Sequence, residues 1–270
     1  MKLRHKWDAK TYHKISTIQE KWGKDVLERR MWNGHEIVMD AGCGTGRVTK
    51  ILAEKVGKGG LVYAVDIDAN MIDQAKENLA SFENVFVVES DILNVELPKK
   101  VDVIFSNAVL HWILDHRVLF QHFWKLLSDK ENNNENKEER ILLAQCGGYG
   151  NLSKIHTLMN QIKDLSEFKI YYLNWKEPWY FAKPEDTEKL LKEIGFKNIK
   201  VYLSDGTTIF SNRSSYSRFV RNVILKPFLQ YLPNEQIKGR FLKTFLDNVE
   251  EGGSGAWTLD YVRLNIMAEK

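Results

Sequence analysis

Residues 37–49, Ile-Val-Met-Asp-Ala-Gly-Cys-Gly-Thr-Gly-Arg-Val-Thr, constrain this chain more than any other stretch. A short apolar run breaks into glycines at 42, 44 and 46, then continues at helical spacing through Val48, Ile51, Leu52 and Val56. The pattern predicts a buried strand, a tight turn and a helix. Glycines at alternate positions let the backbone turn sharply and admit a ligand where any Cβ would collide. The helix then presents free N–H groups and the positive end of its dipole to that ligand.

Spacing narrows the ligand. Counted from Gly42, the third small residue of a dinucleotide fingerprint falls on Arg47, which is large and charged, so a pyrophosphate site is disfavoured. No Lys followed by Ser or Thr closes the glycine run, which excludes a nucleoside-triphosphate P-loop. Two further apolar runs end in acid: Leu61 to Asp66, and Val85 to Asp91. Asp66 stands about 20 residues past the glycines, where nucleotide-binding α/β folds hold a ribose diol. A lone Asp at a strand end means little, but three in register with one glycine loop point to one ligand.

The pattern Asp40-x-Gly42-x-Gly44-x-Gly46 resembles the first motif of the class I S-adenosylmethionine-dependent methyltransferases. The resemblance implies S-adenosyl-L-methionine as cofactor. It assigns to cofactor binding Asp40, Ala41, Gly42, Cys43, Gly44 and Gly46 of the loop, Asp66 with Ile67 and Met71, Ser90, Asp91 and Ile92, and Asn107. Asp91 would accept from the adenine amino group and Ile92 would cover the ring. A second stretch, Phe105-Ser-Asn-Ala-Val-Leu-His-Trp-Ile-Leu-Asp-His116, is similar to one in the trans-aconitate and juvenile-hormone-acid methyltransferases. The leader Trp7-Asp-Ala-Lys-Thr-Tyr12 resembles that of the trans-aconitate group, where it closes over the cofactor.

From Ile37 to Cys146 strands and helices alternate, the signature of a parallel sheet with helices on both faces. The expected fold is α/β, a Rossmann-like, mostly parallel seven-stranded sheet with a helical N-terminal lid and a C-terminal helical cap. Residues 1–33 form the lid, 34–205 and 256–270 the cofactor-binding core, and 206–255 a cap inserted before a last strand expected over Trp257 to Ala268. Strands are also expected over Val101 to Ser106, Ile141 to Gln145 and Lys197 to Leu203. Pro184 and Gly195 bracket a short helix. The aromatics between 166 and 182 have no clean period and suggest a pocket wall. The polar run 128–140 is expected to be a solvated loop without a function of its own.

Ligands of open α/β sheets sit at the carboxyl ends of strands, where the strand order reverses. That places His111 and Trp112, after the fourth strand, beside the methyl acceptor. Tyr12, His111 and Trp112 are the candidate catalytic residues, and Trp7 and Arg213 join them as candidate acceptor contacts; Arg218 is expected to face solvent. Cys43 reads as a small filler within the turn.

The chain has 270 residues, 43% hydrophobic content and 8 Trp, enough for a full core. A charge of +3 from 39 basic and 36 acidic residues, without a long basic block, argues against nucleic-acid substrates. Two cysteines make no disulfide framework, and neither a signal-like start nor a membrane-length apolar run is present. A cytoplasmic monomer or homodimer without metal or membrane partner is the expectation. Methyl transfer is an in-line displacement that needs position and dryness more than covalent help. The expected reaction is O-methylation of a small-molecule carboxylate, which is already an anion. One alternative uses His111 as general base on a hydroxyl or amine. Another is a cofactor-binding protein without turnover, and a nicotinamide oxidoreductase is the outside case.

Overall fold

The computed structural model describes residues 7–129, 140–253 and 257–270. Most of the polar run expected as a loop, the glycine-rich join at 254–256 and the start of the lid lie outside the described residues. Two helices come first, α1 (Ala9–Ile15) and α2 (Thr17–Leu27). Then β1 (Ile37–Ala41), α3 (Arg47–Val56), β2 (Leu61–Asp66), α4 (Ala69–Leu79), β3 (Val85–Glu89), β4 (Val103–Asn107), α5 (His116–Leu126) and β5 (Ile141–Gly147) alternate. Next come α6 (Ser153–Asp164), α7 (Pro184–Ile194), β6 (Lys197–Asp205), β7 (Thr208–Ile209), α8 (Arg213–Phe219), α9 (Lys226–Leu229) and α10 (Glu235–Glu251). The described chain closes with β8 (Thr258–Leu259) and β9 (Val262–Glu269).

Seven strands form one sheet in the order β3-β2-β1-β4-β5-β9-β6. The first five are parallel, and β9 enters antiparallel between β5 and β6. This is the expected Rossmann-like sheet. The chain runs outward from β1 to β3 and returns to β4, so the order reverses between β1 and β4, where Asp40 lies opposite Phe105. A crevice at the carboxyl ends of these two strands follows from that reversal.

Local sequence explains the element ends. Asp68 caps α4 by accepting from the Met71 N–H, and Asp115 does the same for α5 through Val118. Pro184 opens α7, and Gly195, at φ +118°, closes it. One apolar layer packs Met39, Val65, Ile104 and Phe120 on one face of the sheet, and another packs Val38, Leu52, Val62 and Phe105 on the other. With both faces covered, β5 is buried along its whole length.

The expected last strand over 257–268 is instead two. Thr258–Leu259 pairs with β7 outside the main sheet, and the sheet strand begins at Val262 after a break at Asp260 and Tyr261. Asp260 is engaged at the break, where it accepts from Ser153 Oγ and the Lys154 N–H at the start of α6. The aromatics of 166–182 are largely interior rather than a pocket wall. Phe168 and Tyr172 pack with Tyr216, Phe241 and Phe245 in a second core between α6, α8 and α10, and only Trp179 and Phe181 reach the crevice. A widened helical turn over Val220–Ile224, with the Leu225 N–H bonded to the Val220 carbonyl, precedes Pro227, whose ring does not tolerate a regular preceding turn. No helix among the described residues is long and apolar enough to cross a membrane.

Candidate functional site

The glycine turn is fixed by conformation and space together. Gly42, Gly44 and Gly46 have φ of +84°, +54° and +77°, where side chains are disfavoured. A Cβ on Gly42 would lie 2.2 Å from Val109, and one on Gly46 would lie 2.6 Å from Leu79. Gly44 differs: nothing stands within 4 Å of where its Cβ would be, so this side of the turn is open to a ligand. The Gly42 and Cys43 N–H groups donate to the Val65 carbonyl, tying the turn to the end of β2. Cys43 is buried, and burial raises its thiol well above the usual range, which suits a filler.

Two carboxylates face each other across this turn. Asp40 is 2% exposed and accepts from Thr49 Oγ1 at 2.6 Å. Burial, and then Asp66, push Asp40 up to about 7. Asp66 Oδ2 accepts from the Gly44 N–H and Oδ1 from the Asp68 N–H, both at 2.9 Å. Burial raises Asp66 as well, against those two hydrogen bonds. On the next strand, the Ser90 N–H donates to the Asp66 carbonyl, and Asp91 Oδ1 accepts from the Leu93 N–H. Ile92 and Met71 are buried, whereas Ile67 is exposed beside Asp66. The acids that end β1 and β2, and Asp91 just beyond β3, thus stand side by side at one edge of the crevice.

Helices α1 and α2 lie across that edge. Arg47, the residue that breaks the dinucleotide fingerprint, pairs with Glu20 at 2.6 Å and donates to the His13 carbonyl. His13 Nδ1 meets Thr45 Oγ1 at 2.9 Å, Asn107 Nδ2 donates to the Gln19 carbonyl at 2.8 Å, and the Trp7 N–H donates to Asp68 Oδ2 at 3.0 Å. Five contacts therefore pin α1, α2 and the preceding Trp7 over the turn, and the cleft beneath them holds about 50 Å³. Asn107 Oδ1 is buried in the cleft wall without a hydrogen-bond partner.

Opposite the acids, β4 ends at Asn107, Ala108 takes a φ of +60°, and a 3-10 turn (Leu110–Trp112) presents His111 and Trp112. His111 Nδ1 accepts from the Gly147 N–H at 3.2 Å. In a neutral ring the proton then sits on Nε2, and burial, Arg263 and His116 hold His111 well below its ordinary value. The geometry therefore presents a donor, and the lone pair needed for the general-base alternative is engaged. Trp7 packs edge-on against Tyr12 at 5.3 Å and Trp112 at 6.1 Å, and Trp112 packs on Trp179. Burial, and then Asp66, push the Tyr12 hydroxyl up to about 12, so it too remains a donor. Trp7, Tyr12, His111 and Trp112 share one wall.

Arg213 does not join them. It opens α8, is 45% exposed and pairs with Asp247 and Glu250 on α10, because the helix stripe that buries Tyr216 and Phe219 turns it outward. Arg218 is exposed, as expected.

Arg263 is a buried charge near the site that sequence reasoning did not single out. It lies on β9 at 2% exposure, its Nε donates to Gln145 Oε1 at 3.2 Å, and its guanidinium stacks on Trp22 at 4.2 Å. Nη2 is buried with no hydrogen-bond partner. The available signal was Arg263 and Asn265 alternating with Val262, Leu264 and Ile266, a pattern that ordinarily marks a solvent face.

Residues 33–193 match the family described as methyltransferase domain. The chain is 30% identical over 247 residues to a trans-aconitate 2-methyltransferase of Rhodopseudomonas palustris, across 90% of this chain and 83% of that protein. It is 34% identical over 128 residues, 44% of each chain, to malonyl-[acyl-carrier protein] O-methyltransferase 1 of Ilyobacter polytropus. It also superposes on phosphoethanolamine N-methyltransferase 2 of Haemonchus contortus in complex with S-adenosyl-L-methionine, with a TM-score of 0.59 and 18% identity. That likeness, over 99% of this chain and 58% of the other, is one of fold.

Proposed function

Because the chain belongs to the methyltransferase-domain family, and is a class I methyltransferase that uses S-adenosylmethionine, we propose that it O-methylates a carboxylate of a small molecule. The residues of the crevice fit the cofactor. Gly44 leaves the turn open to close approach, Asn107 Oδ1 offers a buried acceptor, and the two acids Asp40 and Asp66 suit a ligand that carries cationic groups. Asp66 would hold the ribose, and Asp91 with Ile92 the adenine. Ala41, Gly42, Cys43 and Gly46 would shape the turn. When bound, the cofactor would supply an electrophilic methyl group to an acceptor oxygen, with its sulfur as the leaving group.

The observation that carries the carboxylate reading is the Gly147 to His111 hydrogen bond. With Nδ1 engaged, His111 offers Nε2–H to the acceptor, and Tyr12 offers a second O–H. Such donors orient an anion, and a carboxylate oxygen needs no base before it attacks. Trp7 and Trp112 exclude water beside it. Two relatives support this chemistry by name, one acting on trans-aconitate, a polycarboxylic acid, and one as an O-methyltransferase. The test is transfer of methyl-labelled cofactor to matched panels of small carboxylic acids, phenols and amines. Label in the acids alone is the expected result; label in the amines or phenols alone would overturn it.

A further inference from the structure

A cavity of about 440 Å³ lies at the carboxyl end of the sheet, under α2. Trp22, Arg29, Gln145, Ser204 and Thr208 line it with Arg263, and Lys21, Asp25 and Asp205 stand among its walls. We propose that Arg263 anchors an anionic group of the methyl acceptor in this cavity and selects acids over their neutral analogues. The inference rests on the methyltransferase reading and adds to it the residue that recognises the acceptor.

An arginine buried this deeply is costly unless something answers its charge. Among the described residues no carboxylate lies within ion-pair distance of Arg263. Its neighbours are neutral: Gln145 Oε1 takes Nε–H, and the Trp22 ring lies beneath the guanidinium plane. Of the two acids in the walls, Asp205 accepts from the Thr207 N–H and hydroxyl, and Asp25 acts on Arg29. Arg29 is tied to Asn265 Oδ1 at 2.7 Å, and Asn265 is in turn bonded to Gln145 and Ser204. This network holds Gln145, and through it the guanidinium, in one orientation. Burial brings Arg263 down to about 10, which still leaves it charged at neutral pH. The guanidinium therefore sets a fixed charge, unanswered by any carboxylate, in the wall of the cavity, and a carboxylate is the group that a guanidinium fork matches best.

Its position links the cavity to the reacting end of the crevice. Arg263 sits opposite Gly147 in the β5–β9 register, and Gly147 is the residue that donates to His111. An acceptor held by Arg263 is thus one strand away from the His111 and Trp112 wall. The cavity volume falls within the ordinary range for small-molecule sites.

The test is calorimetry on the full chain saturated with S-adenosylhomocysteine, titrated with glutarate and with its neutral diamide, glutaramide. The expected result is glutarate binding at least about ten-fold tighter than glutaramide, a preference abolished by Arg263→Met with cofactor-product affinity unchanged. Thr208→Trp, which fills the cavity from its rim and leaves the guanidinium network intact, should weaken glutarate by a similar factor. It decides the matter should Arg263→Met fail to fold. Equal binding of glutarate and glutaramide, no glutarate binding, or glutarate binding undiminished in either folded variant would overturn the proposal. Failure of the wild-type chain to bind S-adenosylhomocysteine would instead sink the methyltransferase reading.

Discussion

Gly147 and His111 are joined by a backbone N–H to Nδ1 hydrogen bond of 3.2 Å, which ties the end of β5 to the turn after β4. That bond sets the tautomer of the imidazole and leaves its proton on Nε2, the donor that the proposed function offers to the acceptor. A donor and a base at this position respond differently to substitution. Gln retains an N–H donor without a titrating lone pair, whereas Ala retains neither. His111→Gln should keep a substantial part of kcat, while His111→Ala should lose about 10²-fold, as for other removed donors at reacting oxygens. Both should bind S-adenosylhomocysteine as the wild type does. Steady-state kinetics with calorimetry check this, and a glutamine variant as inactive as the alanine would restore the base.

Asp40 gives the fold a pH signature. Its carboxyl is raised to about 7 in the folded chain, so the folded state holds its proton where the unfolded chain has lost it. That contribution is fully present below about pH 4, the ordinary range for Asp, and is lost as pH rises through about 7. Asp40→Asn keeps an acceptor for Thr49 and removes the titration. Between pH 5 and 8 the variant should gain about 2 kcal/mol of stability relative to wild type. Urea melts at the two pH values measure it.

The depressed histidines act in the opposite sense. His111, His116 and His156 are each lowered by burial, so the unfolded chain takes up protons first as pH falls. Their contribution is whole above about pH 6.5, the unperturbed value for His, and is lost progressively below it. In the Asp40→Asn background, stability should therefore fall from pH 7 to pH 5. A flat profile there would remove the histidines from the balance.

Glycines 42 and 44 separate folding from binding. Gly42→Ala drives a methyl group into Val109 at a positive φ, and should destabilise the chain by about 2–4 kcal/mol. Gly44→Ala meets no protein atom and carries only the backbone penalty of about 1–2 kcal/mol. Its methyl group would instead fill the ligand's approach, so S-adenosylhomocysteine affinity should fall at least ten-fold. Thermal melts and calorimetry on the pair test the distinction; unchanged affinity in Gly44→Ala would move the cofactor off the turn.

Arg47 ties α1 and α2 to the start of α3. Its pair with Glu20 is partly exposed, and partly exposed pairs contribute about 1 kcal/mol or less to global stability. Arg47→Ala should therefore leave the melting temperature nearly unchanged while α1 and α2 exchange amide hydrogens faster. Protection of 9–27 equal to wild type would show that the other three contacts suffice.

The sheet and the glycine turn were legible because each rests on local signals. Apolar runs, glycines at fixed spacing and acids at strand ends act within a few residues of themselves. The pair of Arg47 with Glu20 was hidden, since the two are adjacent only after the chain folds back on itself. Arg213 was misplaced because its loop position said nothing of α10, whose Asp247 and Glu250 claim it. Arg263 was missed for a related reason. Polar residues alternating with apolar ones read as a solvent face only when a strand has one, and β9 lies between two strands with α2 over the polar side. The strand order, a non-local property, decided what the alternation meant.

The proposed reaction is methyl transfer to a carboxylate oxygen. Product made with methyl-labelled cofactor, treated with mild base, tests it most directly. The label should be released as methanol, as from a methyl ester. Label that stays on the product through base would place the methyl on a hydroxyl, amine or carbon and contradict it.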